Sequence, residues 1–288
     1  MVVATGHAHH ARVPAAAAAL PPGLLQVVPT EYRHPGSLPP GGVLVVGAGA
    51  TGVQLAAELH ASGRPVTLAV GRHTRLPRRY RGHDVLWWMD RAGLLTEPAA
   101  AVPDLAAARA QPSAQLVGRP DHRTLDLAAL QAMGIRLTGR LAGVDGGRLA
   151  LADDLLASVA DAERRLERVL ARIDDFAERE RLAAASPERR PPVQPVRTPA
   201  RLDLAAEGIR TVLWATGYRR SYPWLHAPVL DARGELIHEG GVTPAPGLYV
   251  LGLPFLRRRN STFLDGVGAD ARDLVDHLAG RLQARRAA

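Results

Sequence analysis

The stretch VLVVGAGATGVQLAAELHASGRPVTLAVGR, residues 43–72, constrains the fold of this chain more than any other part of its sequence. An apolar run over 43–47 predicts a buried strand, followed by a glycine-rich turn and a helix over 51–62. A second apolar run over 66–70 predicts a strand parallel to the first, because a helix connects the two. This order predicts a Rossmann-like unit within an α/β protein.

The turn has the spacing GxGxxG, which is typical of dinucleotide binding. Gly47 permits a tight turn, Gly49 lets the backbone approach a pyrophosphate, and Gly52 lets the helix pack closely on the strand. Ala50 and Thr51 complete the motif, and the helix that they open points its N-terminus at the phosphate charge. A purely structural glycine turn is the alternative interpretation.

The end of the second strand decides which dinucleotide such a site prefers. NAD-preferring sites place Asp or Glu there to accept hydrogen bonds from the ribose hydroxyls. This chain has Val70, Gly71, Arg72 and His73 instead. Because a guanidinium can hold a 2′-phosphate in a bidentate fork, the sequence predicts NADPH as the cofactor and Arg72 as a residue that binds it. The same loop carries further arginines, which either add to this positive field or are simply solvated: Arg75, Arg78, Arg79 and Arg81.

Composition excludes several classes of function. The 288 residues contain no cysteine and no lysine, so thiol redox chemistry and Schiff-base catalysis are excluded. The net charge of +8 comes with many Ala, Gly, Pro and Arg residues, which is typical of a GC-rich genome. Because no nucleic-acid-binding module accompanies the charge, we expect no nucleic-acid partner. We find no secretion signal and no apolar run long enough to span a membrane, and expect a cytoplasmic protein.

Neither a metal site nor a catalytic residue is predicted. His7, His9 and His10 lie close together in sequence, but no cluster of carboxylates adjoins them. No nucleophile motif occurs, and none is required where a cofactor carries the chemistry.

The rest of the chain predicts short strands and helices around one long helix. Apolar residues recur at three- and four-residue spacing over 153–185, which predicts an amphipathic helix. We expect this helix to pack on its own domain, or on a second subunit in a homodimer. A helix dedicated to binding another protein is the less favoured alternative. Prolines over 186–195 predict a linker. The other predicted elements are helices over 84–93, 125–133 and 266–284, and strands over 135–137, 141–145, 149–151, 209–215 and 248–253.

Four segments, VVATGH (2–7), VLVVGAGATG (43–52), LWATGY (213–218) and GLYVLGL (247–253), follow one another in a characteristic order. In this order and over most of its length, the chain resembles the flavin-dependent monooxygenases, a family of flavoproteins with two dinucleotide-binding domains. The resemblance implies a Rossmann-like NAD(P)-binding domain inserted into a partial FAD-binding Rossmann-like domain, with the long helical segment added.

The resemblance also implies domain boundaries and FAD-site residues. Residues 1–40 would form a strand and connector of the FAD domain, 41–152 the NADPH-binding domain, 153–195 the helical segment and linker, and 196–288 the C-terminal part of the FAD domain. The residues expected near FAD are Thr5, Gly6, Thr216, Gly217, Gly252 and Asp265. In the family, the glycine turn that binds the FAD pyrophosphate precedes the strand that corresponds to VVATGH. This chain begins at that strand, so we expect it to be N-terminally incomplete.

The implied function is an NADPH-dependent flavoprotein oxidoreductase acting on a small molecule. In the family, a hydride passes from NADPH to FAD, and oxygen then reacts with the reduced flavin. One alternative is a non-enzymatic NADPH-binding module or partner subunit without flavin chemistry. Another is a fragment that does not fold alone, because its ATG strands would lack their neighbours in a sheet.

Overall fold

A computed structural model describes residues 1–6, 8–194 and 198–287. In chain order the strands are β1 (Val2–Val3), β2 (His10–Ala11), β3 (Leu25–Val27), β4 (Gly42–Val46), β5 (Val66–Ala69), β6 (Arg79–Tyr80), β7 (His83–Asp84), β8 (Arg136–Thr138), β9 (Leu141–Asp145), β10 (Arg148–Leu151), β11 (Arg201–Asp203), β12 (Ile209–Trp214), β13 (Tyr218–Arg219) and β14 (Tyr249–Val250). The α-helices are α1 (Ala50–Ala61), α2 (Val85–Arg91), α3 (Leu105–Arg109), α4 (Leu127–Ala132), α5 (Leu155–Arg179) and α6 (Val267–Ala287). Short 3-10 helices lie at Ala15–Ala19, Pro35–Ser37 and Ala99–Ala101.

The chain divides into two compact units. Unit 1 consists of Met1–His10, Met89–Ala110 and Tyr218–Ala288, and unit 2 of Ala11–Trp88 and Gln111–Gly217. The resemblance implies that 196–288 belong to the FAD-binding domain, whereas β11 and β12 of that range lie in unit 2. Which nucleotide each unit holds stays a prediction.

Unit 2 is built on a parallel sheet. Five of the described strands form it, in the order β3-β12-β4-β5-β8. β4 pairs with β12 on one side and with β5 on the other, and each of its residues is buried. Parallel strands connected by helices confirm the predicted α/β class.

Both faces of this sheet are covered. Val43 and Val45 of β4 pack with Val53 and Leu59 of α1 in one apolar cluster. The alternate residues of β4 point to the other face. There they pack with β10 and β11, which belong to an antiparallel sheet in the order β11-β10-β9. The strand that leads into the glycine turn is therefore packed on both faces of the sheet.

Helix α5 is 25 residues long and packs along one side of unit 2. It was predicted over 153–185 and is observed over Leu155–Arg179. Its buried residues recur at intervals of three, four or seven positions, so they occupy one face of the helix: Leu155, Ala162, Leu166, Leu170, Ile173 and Ala177. Residues 195–197, which include the end of the predicted linker, lie outside the described residues.

Unit 1 contains a short parallel pair, β1 and β14, in which Val3 lies opposite Val250. Its core includes Val3, Tyr222, Val229 and Val250. Helix α6 is anchored near its first turn, where Arg258 donates to the fully buried Asp270 at 2.6 Å and to Asp273 at 2.9 Å. In the described part of the chain, no helix is both long and apolar enough to cross a lipid bilayer.

Candidate nucleotide-binding site

The glycine turn connects β4 to α1 at the carboxyl end of the parallel sheet. Gly47 has a φ of +108°, and a Cβ atom on it would lie 2.3 Å from the carbonyl oxygen of Ala215, just after β12. A Cβ atom on Gly52 would lie 1.9 Å from the carbonyl oxygen of Gly47. Both positions therefore require glycine: Gly47 for a tight turn beside a neighbouring strand, and Gly52 for close packing of α1 on that turn.

The N-terminus of α1 opens directly from this turn. Gly49 is the N-cap residue and provides no side-chain hydrogen bond. The backbone N–H of Ala50 donates to the hydroxyl of Ser113 at 3.3 Å. The first turn of a helix leaves N–H donors without intrahelical partners, and its dipole favours negative charge. This end of α1 is therefore chemically suited to a phosphate group.

Residues 112–115 run alongside the glycine turn, a contact that the sequence analysis missed. Gln115 is 1% exposed, and its side-chain Nε2 donates to the carbonyl oxygen of Ala48 at 2.8 Å. Its backbone N–H donates to Thr74 at 2.8 Å, which ties the segment to the loop after β5. The Oε1 atom of Gln115 has no hydrogen-bond partner among the described residues. The only sequence signal was two polar side chains in an Ala- and Pro-rich stretch.

Arg72 lies in the loop that follows β5, and its side chain is exposed. The backbone on both sides of it is held by α5. The hydroxyl of Ser158 donates to the carbonyl oxygen of Gly71 at 2.9 Å, and Arg165 donates to that of His73 at 2.8 Å. Burial lowers the pKa of His73, which favours a neutral imidazole in this loop. The loop backbone is thus fixed while the guanidinium of Arg72 faces solvent.

Three of the other loop arginines form ion pairs, so the interpretation of this loop as solvated does not hold for them. Arg75 lies 2.8 Å from Asp126 and 2.7 Å from Glu163 of α5. Arg81 lies 2.7 Å from Asp174, also on α5, and Arg78 pairs with Asp84. Arg79 donates to the backbone carbonyl of Gly82 at 2.6 Å. These carboxylates neutralise much of the loop's charge, whereas Arg72 has no carboxylate partner among the described residues.

The residues expected near FAD are distributed over both units. Thr5, Gly6, Gly252 and Asp265 lie in unit 1, and Thr216 and Gly217 in unit 2. Gly6 and Gly252 come shortly after β1 and β14, which are parallel neighbours, so both follow the carboxyl ends of adjacent strands. In unit 2, the hydroxyl of Thr216 donates to the carbonyl oxygen of Arg12, whose N–H donates to Gly217 at 2.8 Å.

Asp265 precedes α6, and its side chain is exposed. Its Oδ2 atom lies 3.5 Å from Nδ2 of Asn260, at the limit of a hydrogen bond. Asn260 is buried, and its Oδ1 atom has no partner among the described residues. The assignment of these residues to a flavin site stays a prediction.

A cationic cluster in unit 1 was also missed by sequence analysis. Burial, together with the charges of Arg109 and Arg220, lowers the pKa of His238 to about 4. Arg109 donates to the carbonyl oxygen of Phe255 at 2.9 Å, and Arg220 pairs with Glu235 at 2.6 Å. His238 is consequently neutral near pH 7, next to two guanidinium groups.

No group of three or more His, Asp or Glu residues is placed to hold a metal ion in the described ranges, and His7 lies outside them. A cavity of about 430 Å³ in unit 2 is lined by residues that include Ile135, Arg136 and Glu207. It lies at the amino end of β8, whereas ligands of parallel sheets bind at the carboxyl ends of the strands.

Comparison with known proteins relates the whole described chain to a group of oxidoreductases. No family model matches the chain. It is 30% identical over 280 residues to a protein of Geobacillus kaustophilus described as an uncharacterized CzcO-like oxidoreductase. It is 25% identical over 281 residues to the CzcO oxidoreductase of Bacillus subtilis. These matches cover 96% and 97% of the chain but 64% and 65% of the relatives, so the chain spans less than two thirds of their length.

Solved structures show the same fold. The flavin-containing monooxygenase of Stenotrophomonas maltophilia matches with a TM-score of 0.56 and 14% identity, over 98% of this chain and 62% of that structure. A double mutant of a flavin monooxygenase from the same organism matches with a TM-score of 0.53 and 16% identity, over the same shares of the two chains. The chain therefore has the Rossmann-like α/β fold found in flavin monooxygenases.

The sequence matches indicate which oxidoreductases this chain resembles. The chain is similar in sequence to the CzcO-like oxidoreductases. The resemblance to flavin-dependent monooxygenases, predicted from the ATG and glycine-turn segments, is confirmed for the fold.

Proposed function

We propose that this chain binds NADPH through unit 2, as part of an FAD- and NADPH-dependent oxidoreductase of the monooxygenase type that acts on a small molecule. The observation that carries the proposal is the combination of the Gly47–Gly52 turn with Arg72 at the ends of neighbouring strands. β4 and β5 are adjacent and parallel, so the turn and the Arg72 loop follow the same edge of one sheet. Pyrophosphate and adenosine ribose of one dinucleotide occupy these two positions in Rossmann-like sites.

The residues present fit such a ligand. At Gly47 and Gly52 the space that a Cβ atom would fill is taken by backbone, which brings the N-terminus of α1 close to β4. The first N–H groups of α1, including that of Ala50, would bind the pyrophosphate. The exposed guanidinium of Arg72 would bind the 2′-phosphate, which distinguishes NADPH from NADH.

For FAD, the proposal rests on the resemblance and on the names of the relatives. Gly6 and Gly252, with Thr5, would hold part of the flavin nucleotide at the carboxyl ends of β1 and β14. Thr216, Gly217 and Asp265 are the other positions that the family pattern assigns to it. When bound, FAD would supply the chemistry of hydride acceptance and reaction with oxygen.

A non-enzymatic NADPH-binding module is the second candidate. It is less favoured, because the relatives that match nearly the whole chain carry the name oxidoreductase. The two candidates differ in whether the chain binds flavin. Titrating FAD with the chain and following flavin fluorescence tests this point: saturable quenching supports the flavoprotein, and its absence favours the NADPH-only module.

Isothermal titration of NADPH and NADH tests the nucleotide assignment. We expect Arg72→Ala to weaken NADPH binding by roughly 10- to 100-fold, because a hydrogen bond to a charged group contributes about 1.5–3 kcal/mol. NADH binding should change little, since NADH has no 2′-phosphate. Arg179→Ala, an exposed arginine at the C-terminal end of α5, is the matched control. Equal weakening of NADPH and NADH by Arg72→Ala would contradict the assignment.

A further inference from the structure

Helix α5 contacts the Arg72 loop at successive positions. Ser158 and Arg165 are seven residues apart, which is two helical turns, so they lie on the same side of the helix. Their side chains donate to the carbonyl oxygens of Gly71 and His73, the residues immediately before and after Arg72. Arg72 therefore emerges from a loop whose backbone is fixed on both sides by α5.

Arg165 makes this contact at His73, the residue next to Arg72. Burial lowers the pKa of Arg165, and the positive charges of Arg72, Arg168 and Arg164 lower it further, so Arg165 lies in a field of like charges that includes Arg72. The carboxylate of Asp161 opposes this lowering of the pKa, but it pairs with Arg164. Arg165 itself forms no ion pair within the described ranges.

Arg165 is also incompletely hydrogen bonded. One Nη atom donates to the carbonyl oxygen of His73 at 2.8 Å, while its buried Nε atom has no partner among the described residues. Holding two like charges together, with a buried donor unsatisfied, costs free energy unless an anion binds. Arg75 and Arg81 of the same loop have carboxylate partners, whereas Arg72 and Arg165 have none among the described residues.

We propose that Arg165 is a second specificity-determining residue, which together with Arg72 binds the 2′-phosphate of NADPH. The inference rests on the proposed function and extends it to a helix outside the βαβ unit. A 2′-phosphate carries up to two negative charges and several acceptor oxygens, which two guanidinium groups can satisfy together. Recognition of NADPH in this protein thus depends on α5 as well as on the loop after β5.

Adenosine 2′,5′-bisphosphate and ADP are the probes that test this proposal, because they differ in the presence of the 2′-phosphate and need no flavin. We expect the unaltered chain to bind the bisphosphate more tightly than ADP. Arg165→Gln should weaken binding of the bisphosphate about tenfold or more and change ADP binding less than about twofold. Arg72→Gln should have a similar effect. Arg179→Gln removes the same charge from α5 about 21 Å away and should change neither affinity.

The outcomes separate this inference from the function on which it rests. If the unaltered chain binds both probes equally, the proposed preference for NADPH fails and this inference fails with it. If the preference is present and lost in Arg72→Gln but retained in Arg165→Gln, only the role of Arg165 is refuted. Equal weakening of both probes in Arg165→Gln would show that Arg165 merely holds the loop, and would also refute it.

Arg165→Lys covers the case in which Arg165→Gln does not fold. Lysine keeps the positive charge but not the planar fork, so we expect bisphosphate affinity between those of the unaltered chain and Arg72→Gln. Affinity for the bisphosphate equal to that of the unaltered chain would overturn the requirement for a guanidinium at this position.

Discussion

Replacing Gly52 with alanine should disrupt the junction between β4 and α1. The added Cβ atom would lie 1.9 Å from the carbonyl oxygen of Gly47 and 2.9 Å from its carbonyl carbon. Both atoms are backbone, so the contact is relieved only if α1 shifts by about 1 Å away from the turn. Overpacking of this kind costs about 1–3 kcal/mol. For a unit of this size, that cost lowers the Tm by roughly 2–12 °C.

Gly49→Ala is the matched control, since it adds the same methyl group to the same turn. Its Cβ atom would lie 3.2 Å from the hydroxyl of Ser113, a side chain that can move. The φ of Gly49 is −72°, which alanine adopts without strain. We therefore expect Gly49→Ala to keep the Tm of the unaltered chain but to weaken NADPH binding, because its methyl group stands where the pyrophosphate approaches the backbone.

Thermal unfolding followed by circular dichroism, and NADPH titration, measure the two effects separately. An unchanged Tm in Gly52→Ala would refute the close packing of α1 on the turn. Unchanged NADPH affinity in Gly49→Ala would refute the approach of the pyrophosphate to this backbone. Loss of stability in Gly49→Ala would show that Ser113 is held too firmly to move.

Two further predictions concern charged groups outside the turn. Glu163→Gln removes a charge from the ion pair with Arg75, whose side chain is 11% exposed, and should lower the free energy of unfolding in urea by about 1–3 kcal/mol. Glu167→Gln, at an exposed position of α5, is the control and should lower it by less than about 0.5 kcal/mol. Equal losses in the two variants would refute a stabilising role of the pair. The pKa of His238 is lowered to about 4 from an unfolded value near 6.5, so protonation opposes folding, and stability should fall as the pH decreases from 6.5 toward 4. His238→Gln should reduce that slope in urea unfolding measured across this pH range, and an unchanged slope would assign the pH dependence to other groups.

The βαβ unit could be predicted closely from the sequence because its signals are local. The first strand was predicted over 43–47 and observed over Gly42–Val46, and the helix was predicted over 51–62 and observed over Ala50–Ala61. The apolar run and glycine spacing that specify these elements lie within the segment itself. Helix α5 was predicted to continue to 185 but ends at Arg179, since Arg181 adopts a left-handed conformation with a φ of +51°.

The contacts that complete the candidate site could not be predicted in this way. Ser113 and Gln115 reach the glycine turn, and Ser158 and Arg165 reach the loop after β5, from positions distant in the chain. No local period or motif encodes such contacts, because they depend on how the elements pack. The segments VVATGH and LWATGY, which look alike in sequence, illustrate the same limit: β1 of the first pairs with β14 in unit 1, while β12 of the second pairs with β3 and β4 in unit 2.

The close approach of Gly47 to Ala215 has a consequence for synthesis of the protein on the ribosome. The glycine turn is complete in sequence as soon as α1 has been made, yet the carbonyl group against which Gly47 packs follows β12, the last strand of the sheet to be synthesised. Pairing between such distant segments forms late. A nascent chain therefore presents the motif long before it presents the completed turn, and a ligand that binds this turn would stabilise only the finished sheet.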